Sequence, residues 1–297
     1  MKKYLRTGIF GLALAALVSG TGCHKKKDDG STPPSTPSSS TDTNTIAAIN
    51  AAWAETCYDD FATLGDQAWN GTLNAFRSGV PLSPFCACAG MVWDTANPGD
   101  ADTMTVNFGT VDCLCSDGRF RRGSVQIVYP GGSNYPDSGN VISFYPDHYF
   151  VDRSNVGGSV VITNRGHISR YRTCDLAING IIVLNNNAGT ITYNASRTRK
   201  LILGENPNGT INWSMAKFGF TGSASGTMED GTAFTATVVN QEVRDMSGVG
   251  YIKFNLQGTL NITPSGKTVR HIDFGNGAAD DTGTITIGSF SRTFQML

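Results

Sequence analysis

The stretch "MTVNFGTVDCLCSDGRFRRGSVQIVY", Met104 to Tyr129, decides the fold. Met104, Val106 and Phe108 alternate with polar residues, and so do Val125, Ile127 and Tyr129. A period of two is the signature of a strand with one buried face. Asp117-Gly118 between the two runs is a turn signal. Strands joined by so short a connection must run antiparallel. The same reading extends outward. "NVISFY", "GGSVVITN", "AGTITYN", "KLILG", "GTINWSM", "FTATVV", "YIKFNLQGTLNIT", "TVRHIDFG" and "GTITIG" alternate in the same way, with Asp230-Gly231 and Pro264-Ser265-Gly266 among the turns. No long helical pattern interrupts them. The expected class is mainly β: an antiparallel β-sandwich or elongated two-sheet stack with solvated outer faces and a short N-terminal helical segment.

That helical segment is expected over 45–80. It is rich in Ala and poor in β-branched residues, and Ile49, Trp53, Cys57, Phe61 and Leu64 recur at helical spacing. Gly65 and Asn70-Gly71 predict a break or kink. Residues 81–297 form the all-β domain. Met104–Tyr129 and Val269–Gly288 share a layout, a strand ending in Asn/Asp-Phe-Gly and then a Gly that opens a new strand, which suggests two related β units.

The chain opens on MKKYLR, followed by Thr7 to Gly22 without a charge. A basic start, an apolar run too short to span a bilayer and small residues at its end read as a signal peptide over 1–22. Cys23 after Gly20-Thr21-Gly22 resembles the lipobox of bacterial lipoproteins, with Gly20 where Leu is usual. The resemblance implies lipidation of Cys23 and attachment to the membrane through acyl chains. Lys25, Lys26, Lys27, Asp28 and Asp29 resemble the surface-export cluster of Bacteroidetes lipoproteins. From Gly30 to Asn44 every residue is Ser, Thr, Pro, Asp, Asn or Gly. Such a stretch cannot bury a core, so 23–44 is expected to be a lipid-anchored disordered linker.

Net charge is -1, and there is no basic stripe, so nucleic-acid binding has no support. The four histidines, His24, His148, His167 and His271, show no metalloprotease spacing. No Gly-x-Ser-x-Gly elbow occurs; "GSASG" carries Ala224 at its centre. The adjacent pairs Asp59-Asp60, Glu229-Asp230 and Asp280-Asp281 read as turn or surface residues. "DFGNGAADDTG" offers oxygen ligands but lacks the EF-hand spacing. No catalytic residue, metal or cofactor is assigned.

With Cys23 given to lipid, Cys57, Cys86, Cys88, Cys113, Cys115 and Cys174 form an even set. Export favours disulfides; zinc held by the two Cys-x-Cys motifs, or free thiols, are the alternatives. In an extended Cys-x-Cys the two Cα atoms stand about 6.5 to 7 Å apart, at the limit for a bridge. Each cysteine therefore needs a partner elsewhere. Antiparallel strands pair Cys86 with Cys115 and Cys88 with Cys113, which leaves Cys57 for Cys174.

"VNFGTVDCLCSDGRFRRGSVQIVY" and the later Asp273-Phe274-Gly275-Asn276-Gly277 resemble a widespread family of uncharacterised Bacteroidetes cell-surface lipoproteins. Those proteins carry an Asp-Phe-Gly strand, a cysteine loop, an Asp-Gly-Arg turn and a second Asp-Phe-Gly-x-Gly stretch. Here Asn107 stands for the first Asp, and Ala278-Ala279-Asp280 stands where a Cys is usual. The family has no assigned activity, so the resemblance implies location and fold only. The expectation is a lipid-anchored outer-membrane protein facing the cell exterior, not an enzyme, with a binding or structural role toward a glycan or an envelope protein. A glycan-binding module and a secreted hydrolase of unrecognised type are the alternative readings.

Overall fold

The computed structural model describes residues 42–75, 86, 88–94, 100–247, 255–278 and 280–296. The expected signal peptide, Cys23, the expected export cluster and most of the expected linker lie outside these residues. Residues 42–297 form one compact unit.

The protein is mainly β, with one N-terminal helix. Helix α1 spans Ile46–Ala75. Thirteen strands follow: β1 Gly90–Asp94, β2 Asp102–Leu114, β3 Phe120–Tyr129, β4 Val141–Val151, β5 Ser154–Ile168, β6 Tyr171–Val183, β7 Thr190–Leu203, β8 Lys217–Thr227, β9 Ala233–Asp245, β10 Gln257–Pro264, β11 Arg270–Asn276, β12 Thr282–Ile287 and β13 Phe290–Gln295. Every strand pairs antiparallel with the one before it, in the order β1 to β13. The expected sandwich or two-sheet stack is thus replaced by a single meander. The physical reason is α1. A sheet needs something against its apolar face, and here the helix supplies that layer.

The sheet curls around the helix. Phe61 meets Phe144 and Tyr149 of β4, the Tyr58 hydroxyl donates to the Gly157 carbonyl of β5, and Tyr58 stacks on Tyr193 of β7. Trp69 packs on Trp93 of β1, and Trp53 lines a small apolar cavity with Phe274 of β11, Phe294 of β13 and Met296. Ala51 through Ala68 are buried all the way round the helix. Helices buried on every side are usually apolar throughout. This one is rich in Ala, with eight among its 30 residues, which favours helix and lets strands approach closely.

The helix runs through Gly65 without a break. A Cβ at Gly65 would lie 2.3 Å from the Tyr135 hydroxyl oxygen, so this glycine makes room for a neighbour. Gly180 of β6 does the same for the Tyr58 ring, which a Cβ would meet at 2.2 Å.

Cross-strand register sorts the residues into rows. One inner row carries Met104, Ile127, Phe144, Val160 and Ile178, then Ala195, Ala224 and Ala236. One step along, the outer row carries Ser196, Ser223, Thr237, Asn261, His271, Thr286 and Ser291 on β7 to β13. A membrane-crossing barrel presents an apolar outer band; this outer row is polar. Among the described residues, no helix is long and apolar enough to cross a membrane.

The shared Asn/Asp-Phe-Gly layout has a local cause. Asn107 and Asp273 each accept the backbone N–H of the glycine two residues on, at 2.8 Å, and Gly109 and Gly275 take positive φ of 84° and 97°. Phe108 and Phe274 point inward. The pairing register of β2 with β3 shifts at Gly109. The motif is an Asx turn at the end of a strand's regular pairing.

Candidate functional site

Buried charges join helix to sheet. Glu55, Asp59, Asp60 and Asp66 of α1 are all buried, as are Asp117 of the β2–β3 turn and Glu242 of β9. They face Arg119, Arg121 of β3, Arg197 and Arg199 of β7, and Arg244 of β9. The expectation that Asp59-Asp60 is a surface or turn pair is therefore corrected. Successive helical side chains point about 100° apart, so the two acids reach different strands.

Asp60 sits among three guanidiniums. It accepts from Arg119 at 2.8 Å, Arg121 at 3.0 Å and Arg244 at 2.6 Å. Arg119 also donates to Thr56 at 2.7 Å, one turn earlier on the same helix face. Asp117 takes both Arg121 terminal nitrogens at 2.8 Å. Burial raises the Asp117 carboxyl, but the charge and hydrogen bonds of Arg121 outweigh it, so Asp117 ends below the usual carboxylate range. Further along α1, Asp66 accepts from Arg199 at 2.6 Å and from Arg172 at 3.1 Å.

Arg197 has the reverse arrangement: one guanidinium among three acids. It meets Glu55 at 2.7 Å, Asp59 at 3.2 Å and Glu242 at 2.6 Å. Oxygens of these three carboxylates lie within 4.8 Å of one another. Glu55 Oε1, Glu242 Oε1 and both Asp59 oxygens have no hydrogen-bond donor. Burial, reinforced by Glu55, pushes the Glu242 carboxyl well above its usual range despite Arg197. Burial raises Asp59 as well, against the pull of Arg197.

Cys86 is bonded to Cys115 and Cys88 to Cys113. The two bridges fasten the approach to the five-residue edge strand β1 onto the end of β2. These four sulfurs are spent on disulfides. The expected Cys57–Cys174 bridge is not formed; both are buried free thiols. Position along the helix explains this. Cys57 sits beside Arg119 and Asp60, whereas Cys174 sits beside Arg199 and Asp66. Cys57 and Asp66 are nine residues apart on α1, about 13 Å of rise.

The remaining candidates stay apart. His148 meets Asp147, His167 meets Glu205 and His271 meets Asn261. Asp230 and Asp280 cap their own turns by accepting from Thr232 and Thr282. Asp273 is likewise engaged with Gly275, so the oxygen ligands of "DFGNGAADDTG" serve local turns.

On the outer face, Ser196, Ser223 and Thr237 stand opposite one another across β7, β8 and β9. Asn194, Ser225 and Thr235 form the adjoining row. These six exposed side chains, which carry only hydroxyls and amides, line an open groove together with Ile178, Ala195, Ala224 and Ala236. Ser223 and Ser225 belong to "GSASG", whose Ala224 points inward. Chemically, the groove can donate and accept hydrogen bonds to a neutral polar ligand. The inner carboxylates are sealed by helix and sheet.

No family model, no curated protein and no solved structure matches this chain.

Proposed function

We propose that this chain is a lipid-anchored protein of the outer membrane, displayed on the cell surface, with a non-catalytic binding role. Cys23 behind its basic and apolar leader carries the reading, because that arrangement supplies export and an anchor together. Lys25 to Asp29 supports outward display. The structure adds support of another kind. The acids most suited to proton chemistry are buried and committed to arginines, where a substrate has no access. What the protein offers to its surroundings is the outer face of the sheet.

Within that reading, the uncharged groove across β7–β9 favours a glycan over a charged partner. Protease added to intact cells should remove the protein, and Cys23→Ala should release it from the membrane fraction. Cleavage only after the outer membrane is opened would place it facing the periplasm instead. A glycan array read beside an envelope pull-down, comparing the protein with a Ser223→Lys, Thr237→Lys variant, tests the groove. Turnover across a hydrolase panel with silence in both binding assays would replace this function with an enzymatic one.

A further inference from the structure

Around Arg197 the charges do not balance. Glu55 and Asp59 of α1 and Glu242 of β9 face that guanidinium, with the Tyr193 hydroxyl of β7 donating to Glu55 at 3.1 Å. The adjoining cluster joins Asp60 and Asp117 to Arg119, Arg121 and Arg244. Five carboxylates therefore meet four guanidiniums, and one negative charge is left over in a region closed to water. The excess lies on the trio, since Asp60 and Asp117 have three arginines between them. Arg197 takes the Oε2 atoms of Glu55 and Glu242, and their Oε1 atoms have no donor. Oxygens of Glu55 and Glu242 lie within 4.8 Å of each other, and two such buried acceptors repel unless one carboxyl carries a hydrogen that it can donate to the other.

We propose that the trio of Glu55, Asp59 and Glu242 keeps one proton at neutral pH, shared between Glu55 and Glu242, and that this proton fastens α1 to β9. Its loss would put two uncompensated carboxylates against each other between helix and sheet. The raised position of the Glu242 carboxyl agrees in direction. The effect on stability follows. Below the unfolded value of a glutamate, near 4.5, both states hold the proton. Above it the unfolded chain releases the proton and the folded chain retains it. Folding then weakens about tenfold per pH unit until the folded state releases it too. The latch is tight in mildly acidic surroundings and slackens toward alkaline pH.

The full chain is unfolded in urea from about pH 5 to about pH 8, beside Glu242→Gln and Asp60→Asn. The amide of Glu242→Gln supplies the missing donor without needing a proton. Its folding constant should gain on the unsubstituted protein by about a hundredfold between pH 5 and pH 7. Asp60→Asn, which strips arginines of their counter-charge, should weaken folding across the range. The infrared spectrum of the unsubstituted protein at neutral pH should show the carbonyl stretch of a buried protonated carboxyl, and Glu242→Gln should lose it. A ratio of folding constants that does not change with pH, or a neutral-pH spectrum without that band, overturns the proposal. Glu55→Gln serves if Glu242→Gln fails to fold. If neither folds, both groups are required as anions and the shared proton is wrong.

Discussion

Replacing Asp60 by Asn removes a charge that three guanidiniums share and leaves the shape of the side chain almost unchanged. The three arginines are not equally exposed to the loss. Arg121 keeps Asp117 and the Tyr149 hydroxyl, and Arg119 keeps Thr56 and the nearby charge of Asp117. Arg244 makes its ion pair through NH1 to Asp60, while its Nε and NH2 have no acceptor. It stands over the Phe220 ring at 5.4 Å, which does not replace a carboxylate. The dominant cost is therefore one buried, uncompensated guanidinium. Breaking a buried pair in this way costs about 3 to 5 kcal/mol. In a domain of this size that lowers Tm by roughly 6 to 20 °C. Asp60→Asn together with Arg244→Met should recover much of the loss, because the stranded charge goes with it. Urea unfolding followed by circular dichroism on the four proteins of the cycle measures both quantities. A loss below about 1 kcal/mol for Asp60→Asn, or no recovery in the double variant, would refute the assignment of Arg244 to Asp60.

Other expectations are more local. Gly180→Ala should cost about 1 to 3 kcal/mol by overpacking, since the new Cβ meets the Tyr58 ring; a neutral change would mean that the ring sits elsewhere. Alkylation of the folded, oxidised protein near neutral pH should leave Cys57 and Cys174 unmodified, because burial pushes their thiols up to about 12 and about 11, and unfolding should expose both. The bridges are nested, so breaking one leaves the loop closed by the other, whereas breaking both should cost about 3 to 4 kcal/mol for opening a loop of 25 to 29 residues; peptide mapping without reduction should return Cys86 with Cys115 and Cys88 with Cys113. On the acid side, Asp117 holds its charge below the unfolded range, so its contribution is present above about pH 4 and fades as pH falls through its folded value. Asp117→Asn should flatten that acid limb.

Much of the architecture can be read from alternation alone. A period of two in Met104–Phe108 or Thr190–Tyr193 marks inner and outer faces, and the short turns between runs force antiparallel neighbours. Whether such strands make two sheets or one is not written in their period. That depends on what covers the inner face, and a helix buried on all sides looks from its Ile49, Trp53 and Phe61 stripe like an ordinary amphipathic one. The charge network left a trace that is visible in retrospect. Arg119 and Arg121, and again Arg197 and Arg199, recur at the strand period on positions that should face inward. Charged residues are almost never buried unless paired, so these repeats imply acids facing them. Glu55, Asp59 and Asp66, at intervals of four and seven on an Ala-rich helix, are the complement. That Cys57 and Cys174 stay unbridged is beyond reach by counting, because an even number of cysteines says nothing about position along a helix axis.

The order of the chain has a consequence for how the molecule is made. Each strand finds its neighbour at once, since consecutive strands pair throughout and such local closure is fast. The element at the centre, however, comes first and is completed last. Asp60 must wait for Arg244, 184 residues away, and Trp53 for Phe294 at the far end. Until β9 arrives, Asp60 has Arg119 and Arg121 but still lacks Arg244. A chain arrested before that point holds a zipped sheet around a helix whose charge network is incomplete, and its last partners come from the final third of the polypeptide.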